Sequence, residues 1–157
     1  MMHIHGQDPK ELFEVSSKVV LLNNDKSKVL ILDYNDYNED NKYGLPGGHL
    51  EHGESLDESV RRELSEEIGF EYKGELTKVS FGLHSWLGTR DRIQHEKIIL
   101  GYVGMLDEKL KIRHEPDSCE RVTALRWIPI EEAVDESNYN PGEFYSELIV
   151  LAVRELK

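Results

Sequence analysis

Three glutamates lie close together in the middle of the sequence, Glu63, Glu66 and Glu67. On a helix that turns about 100° per residue, separations of three and four place Glu63 beside both of the others. Like charges at that spacing repel by roughly 0.2–0.5 kcal/mol per pair, and the helix dipole disfavours anions in a last turn. A hard divalent cation such as Mg²⁺ binds carboxylate oxygens and would turn this repulsion into a ligand set. The spacing by itself favours a solvated acidic helix face, with a metal site as the alternative, and the flanking residues decide between them.

A helix must carry these acids, and the neighbouring residues predict one over 56–68. Ser55 and Glu58 have the spacing of a capping box at its start. Gly69 can take the left-handed conformation that ends a helix. The apolar stripe that would pack this helix on a core consists of Leu56, Val60, Leu64 and Ile68.

The residues around the acids follow the pattern G-x5-E-x7-R-E-U-x-E-E-x-G-U, where U is a bulky apolar residue. Its constrained positions are Gly48, Glu54, Arg62, Glu63, Leu64, Glu66, Glu67, Gly69 and Phe70. The stretch from Gly48 to Phe70 resembles the complete signature of the Nudix hydrolase family at every fixed position. It covers 23 of the 157 residues, so the rest of the chain is considered separately.

The resemblance implies an α/β fold, an α/β/α sandwich with a mixed β-sheet between helices, in a single Nudix hydrolase domain over residues 1–157. Residues 1–12 are polar and mixed, and we expect a flexible N-terminal segment there. Apolar runs elsewhere predict strands near 19–22, 29–32, 76–83, 93–103 and 124–129, and a closing helix near 142–156. The apolar face of that last helix would consist of Phe144, Leu148, Leu151 and Ala152. Runs without polar alternation indicate a sheet covered on both faces.

The resemblance also implies a reaction, the metal-dependent hydrolysis of a phosphoanhydride bond in a nucleoside diphosphate linked to another group. Glu63, Glu66 and Glu67 would bind Mg²⁺ or Mn²⁺, with a backbone carbonyl near Gly48 as a further ligand. The general base would be Glu63 or an acid in a later loop, for which Glu120 is the candidate. Glu54 would lie behind the ligands, and Arg62 would orient the carboxylates through charge-assisted hydrogen bonds.

A connection predicted over 84–92 is the candidate substrate-binding segment. Trp86 would stack on a nucleobase, and Arg90 and Arg92 would pair with phosphate. The alternative is a hairpin in which Trp86 is buried and the arginines are only solvated. The substrate itself is left open among nucleoside triphosphates, nucleotide sugars and dinucleoside polyphosphates.

The chain is strongly acidic, with a formal net charge of −12. Such a charge repels nucleic acid polymers at long range, so a small nucleotide is the expected partner. No apolar run approaches the ~18–20 residues needed to cross a bilayer, no signal peptide is evident, and the lone Cys119 fits a reducing compartment. We therefore expect a cytoplasmic protein without membrane partners; the sequence leaves a homodimer open.

Two other classes of function are compatible with the fold. A non-catalytic sensor of nucleotides or nucleotide sugars would bind without hydrolysis, although sensors tend to lose the motif glutamates that are all present here. An isomerase of isoprenoid diphosphates would need a paired cysteine and glutamate at the reacting carbons, and Cys119 is the only thiol.

Overall fold

A computed structural model of the chain describes residues 11–34, 42–88, 90, 92–114, 124–139 and 142–156. The described part contains six strands, three α-helices and one short 3-10 turn. In chain order they are β1 (Glu11–Leu22), β2 (Lys28–Asp33), β3 (Tyr43–Gly44), α1 (Leu56–Ile68), β4 (Thr77–Leu87), β5 (Gln94–Met105), β6 (Ala124–Pro129), α2 (Ile130–Ala133), the 3-10 turn Glu136–Asn138 and α3 (Gly142–Glu155). No helix in these described ranges is both long and apolar enough to span a bilayer.

The strands form one mixed sheet in the order β3-β2-β1-β5-β4, with β6 paired to β2. β1 and β5 run parallel over their full lengths, whereas the other neighbours are antiparallel. β1 and β2 pair only at Leu22 and Val29 and then diverge. The gap that opens between them is where the motif loop lies.

Helices cover both faces of the sheet. On one face, α1 packs Val60, Leu64 and Ile68 against Val19 and Leu21 of β1. On the other face, α2 and α3 enclose the second cluster, whose members include Val20, Leu22, Ile31, Leu148, Ile149 and Ala152. Each fully buried aliphatic side chain contributes about 1.5–3 kcal/mol, so the first cluster holds α1 on the sheet. The predicted α/β/α sandwich is confirmed.

Most of the predicted elements are confirmed, and the differences have local causes. Leu56 is exposed although it belongs to the predicted apolar stripe, because the first turn of α1 extends beyond the core and Ser59 is buried there instead. In α3, Leu151 is also partly exposed, and the core side of that helix is formed by Tyr145, Leu148, Ile149 and Ala152.

β1 already begins at Glu11, so the last two residues of the segment predicted to be flexible belong to a strand, and residues 1–10 lie outside the described ranges.

The connection predicted over 84–92 is wrong in its first half. β4 continues to Leu87 because its residues pair with β5 as far as Gln94. Polar residues at 84 and 85 suggested a loop, but the parallel β1–β5 pair extends the sheet in the same direction and gives β4 a long neighbour. Only about six residues are left for the turn.

Candidate active site

The glycine-rich segment before α1 lies beside β1, in the position that β2 leaves where the two strands diverge. Pro46 and Gly48 accept hydrogen bonds from the Val19 and Ser17 amides at 2.8 and 2.9 Å, and the Leu50 amide donates to Val15. The segment lies so close that a Cβ on Gly47 would stand 2.1 Å from the Ser17 carbonyl oxygen, and Gly47 also has φ +135°. Only glycine fits this position, and this explains why a residue without a side chain precedes the acidic helix.

The caps of α1 fix its two ends as the sequence predicts. The Ser55 hydroxyl accepts from the Glu58 amide while the Glu58 carboxylate accepts from the Ser55 amide. Gly69 takes φ +78°, and its amide donates to Ser65. A capping box and a left-handed C-cap together satisfy orphan groups at both ends. The two caps therefore fix the direction in which the acids of the last two turns point from the helix axis.

Arg62 is the centre of the carboxylate network. Its guanidinium forms a bidentate pair with Glu54, with Nε 2.6 Å and Nη2 3.0 Å from the two oxygens. Nη1 donates to Glu63 at 2.9 Å and lies 3.5 Å from Glu66, and Nη2 donates to the His49 carbonyl at 3.1 Å. Because the planar guanidinium can donate to several oxygens at once, Arg62 alone orders three of the motif acids.

This pairing changes the acid strength of Glu54. The hydrogen bond from Arg62 lowers the pKa of the Glu54 carboxyl to about 2 from its ordinary value of 4.5, and the amide of Glu51 contributes in the same direction. The same contact raises the pKa of Arg62. Glu54 therefore stays ionised and engaged behind the other acids.

Glu63 and Glu67 both approach the glycine segment. The Glu67 carboxylate accepts from the Gly47 amide at 2.8 Å. The Glu63 carboxyl occupies the space beside Gly48, where a Cβ would lie 2.2 Å from its carboxyl carbon. Because Gly47 and Gly48 are adjacent, the two carboxylates meet at one junction of loop and helix. Glu66 extends further outward, with 62% of its side chain exposed.

The donors at this junction fit a hard cation, although the carboxylates at present bind Arg62 and a backbone amide. Within the described ranges, no three His, Cys, Asp or Glu side chains converge closely enough to hold an ion as they stand. Carboxylate and carbonyl oxygens are nevertheless the ligands that Mg²⁺ prefers. The Gly48 carbonyl accepts a hydrogen bond from the Ser17 amide in the sheet. The Gly47 carbonyl lies in the chain between the carbonyls of Pro46 and Gly48, which both face β1. The metal ligands stay a prediction.

Two of the downstream candidates, Arg90 and Arg92, lie away from this junction. Glu120 lies outside the described residues, as does the side chain of Trp86, whose backbone is part of β4 opposite His95. Arg90 and Arg92 belong to the turn between β4 and β5, where Arg92 takes φ +59° and donates its amide to Gly88. Gly48 lies level with Ser17 and Leu100, and this turn begins six residues further along β5 and two strands across, roughly 22 Å away at ~3.3 Å per residue and ~4.8 Å per strand.

Sequence reasoning missed the segment that closes the other end of α1. The Arg113 amide donates to the Ile68 carbonyl at 2.9 Å, and His114 Nδ1 lies 3.2 Å from the Glu67 carbonyl. The Arg113 backbone also packs against Gly69, where a Cβ would stand 2.2 Å from its carbonyl oxygen. The region 105–117 showed only polarity, and no local pattern indicates which helix a loop will cap.

Comparison with known proteins agrees with this fold. A family model described as the NUDIX domain matches residues 13–148. The matched residues include the sheet strands and the carboxylate-bearing loop and helix, which together define a hydrolase domain. The chain belongs to the Nudix family of hydrolases. No curated protein sequence matches the chain.

Solved structures with similar folds come from several organisms. The MutT protein from Methanosarcina mazei is 21% identical, with a TM-score of 0.64 over 94% of this chain and 98% of that one. An Ap4A hydrolase from C. elegans, in a binary complex, is 16% identical, with a TM-score of 0.66 over 91% and 97%. The NUDIX domain of Shewanella oneidensis NrtR, complexed with ADP ribose, is 17% identical, with a TM-score of 0.66 over 98% and 95%. These likenesses show the shared fold.

Proposed function

We propose that the chain hydrolyses a phosphoanhydride bond in a nucleoside diphosphate linked to another moiety, releasing a nucleoside monophosphate. One observation carries the proposal: Glu63 and Glu67 meet at the Gly47–Gly48 backbone while Arg62 holds Glu54 behind them. A solvated acidic helix face does not require neighbouring glycines at which a Cβ would clash. The named structural neighbours, including an Ap4A hydrolase and an ADP-ribose complex, support a nucleotide substrate.

The residues of the junction have distinct roles in this proposal. Glu63, Glu66 and Glu67 would hold Mg²⁺ or Mn²⁺, and the bound ion would neutralise charge on the phosphates and lower the pKa of an attacking water. Arg62 orients Glu63 through the 2.9 Å hydrogen bond and is itself held by Glu54. Glu63 or Glu120 accepts the proton of the water. Arg90 and Arg92, on the turn between β4 and β5, would bind a part of the substrate away from the reacting phosphates.

A panel of nucleoside diphosphate derivatives tests the proposal directly. Phosphate or monophosphate release is measured for nucleoside triphosphates, nucleotide sugars and dinucleoside polyphosphates, with Mg²⁺, with Mn²⁺ and with a chelator. We expect turnover of at least one class that the chelator abolishes. Saturable binding of a nucleotide without turnover in either metal would instead favour a sensor.

Variants assign the observed turnover to this site. Glu63→Gln should lower kcat by about 10²–10⁴ if Glu63 is the general base, and a loss below tenfold would move that role to the later loop. Glu66→Gln should abolish most metal-dependent turnover with a near-neutral effect on stability, because an exposed ion pair contributes at most about 1 kcal/mol. Glu147→Gln is the matched control, since Glu147 is an exposed helical glutamate on α3. Full activity in Glu66→Gln would remove it from the ligand set.

A further inference from the structure

Lys18 on β1 is a half-buried cation whose charge is not matched by an acid. Its ammonium donates to the Leu45 carbonyl at 3.2 Å, and among the described residues it forms no ion pair. Lys28, by contrast, pairs with Glu108 at 2.9 Å. Charges that are taken out of water are normally paired with an opposite charge, and a lysine ammonium carries three donors. The carbonyl uses one of them, so Lys18 can also donate to an anion.

The register of β1 places Lys18 beside the glycine-rich segment. The segment runs antiparallel to β1, and the Ser17 amide donates to the Gly48 carbonyl. One residue further along, Lys18 lies opposite Gly47, with about 4.5–5.5 Å between the Cα atoms of such a pair. The Gly47 amide in turn donates to the Glu67 carboxylate at 2.8 Å. Lys18 is therefore next to the backbone at which the proposed metal ligands meet.

A second donor lies on the same face of β1 as Lys18. Val20 packs in the cluster enclosed by α3, so by alternation Ser16 and Lys18 also lie on the face opposite α1. Ser16 is 3% exposed, and its hydroxyl oxygen forms no hydrogen bond within the described ranges. Glu14 shares this face but is 3.5 Å from the Lys97 ammonium, so it does not compensate the charge of Lys18. A buried hydroxyl and an ammonium thus lie two residues apart, both with donors to offer.

We propose that Lys18 and Ser16 bind a phosphate group of the substrate beyond the two that flank the cleaved bond, so that the substrate is a nucleoside triphosphate or a dinucleoside polyphosphate. This inference rests on the proposed function, in which cations held by Glu63 and Glu67 bind the two phosphates of the anhydride. A third phosphate that extends past the glycine-rich segment reaches the opposite face, where both side chains donate to its oxygens. A nucleotide sugar has only two phosphates and offers them no further anion.

Non-hydrolysable phosphonates test this inference without any turnover. Titration calorimetry in Mg²⁺ gives dissociation constants for methylenediphosphonate and bis(methylene)triphosphonate, which carry two and three phosphorus groups. We expect the wild-type chain to bind the triphosphonate at least about tenfold more tightly, because it gains a charge-assisted hydrogen bond. Lys18→Met keeps the length of the side chain but removes the charge. It should abolish this preference while the diphosphonate binds as before.

Two further variants separate binding from structure. Lys28→Met removes the same charge from the ion pair with Glu108, and this control should keep the wild-type preference. Ser16→Ala removes a hydroxyl that bonds to no described residue, so its Tm should not fall, and its preference should drop about 2–10-fold. If Lys18 only held the Leu45 carbonyl in place, Lys18→Met would distort the segment and weaken both ligands alike.

Several results would overturn the inference. They are a wild-type chain that binds both phosphonates equally or binds neither, a Lys18→Met variant that keeps the preference, and a Lys18→Met variant that weakens both ligands alike. Hydrolysis of nucleotide sugars alone in the substrate panel would overturn it too, while leaving the proposed function intact. Conversely, a preference for the triphosphonate that depends on Lys18, in a chain that hydrolyses no nucleotide, would uphold the phosphate site and remove the proposed hydrolysis.

Discussion

Replacing Gly48 by alanine is a sharp test of the active site, because it adds one carbon at the point where Glu63 lies. The new Cβ would stand 2.2 Å from the carboxyl carbon and 2.3 Å from one carboxylate oxygen of Glu63, whereas ordinary contact begins at 3.4 Å. The carboxylate must therefore move by about 1 Å. A misplacement of about 1 Å at a reacting group costs on the order of 10²-fold in rate.

The stability of Gly48→Ala should hardly change. Gly48 is not among the glycines with positive φ, so alanine introduces no backbone strain, and the smaller conformational freedom of the unfolded chain favours folding by about 0.4–1 kcal/mol. The clashing atoms belong to the end of a flexible side chain, and loosening the partly exposed Glu63–Arg62 pair costs at most about 1 kcal/mol. The two contributions nearly cancel, and Tm should stay within about 4 °C.

The assay compares kcat/KM on the preferred nucleotide with Tm for three glycine variants. Gly53→Ala meets no atom within 4 Å but has φ +93°, so it should lose stability through strain and keep its activity when folded. Gly47→Ala clashes with the Ser17 carbonyl oxygen at 2.1 Å and should lose both. If folded Gly48→Ala retains more than about a third of the wild-type kcat/KM, against the 10² loss expected, the position of Glu63 beside Gly48 is not the working one.

Three further changes probe the network around α1. Glu54→Gln removes a carboxyl whose folded pKa of about 2 lies below its ordinary 4.5; its stabilisation is complete above pH 4.5 and is lost as the pH falls toward 2, so urea unfolding of the variant should depend less steeply on pH in that window. A variant with the wild-type slope would contradict the pairing with Arg62. Arg62→Lys loses the bidentate fork while keeping the charge, and the Mn²⁺ concentration for half-maximal activity should rise about 10–100-fold; an unchanged metal titration would show that Arg62 does not orient the acids. Ser55→Ala should lower the free energy of unfolding by about 1 kcal/mol and Ser55→Gly by only a few tenths, and an unchanged free energy of unfolding in Ser55→Ala would show that the hydroxyl is not the cap.

The local pattern of α1 explains why its prediction was accurate. Its start, its end and its apolar stripe depend on contacts within a few residues of each other, as in the Ser55–Glu58 box and the Gly69 cap. Leu56 shows the limit of such reasoning, since periodicity places it on the core face but cannot tell how far the core extends along the helix.

The sequence by itself determined which acids share a helix and which glycines precede them, because capping, helical period and motif spacing are local properties of the chain. Only the tertiary structure decided that Gly47 and Gly48 replace a strand beside β1, that Arg113 and His114 close the far end of α1, and that β4 lies at an edge of the sheet among the described strands. These depend on pairings between segments distant in the sequence. Their partners are selected by how the whole sheet packs, and no single segment encodes that choice.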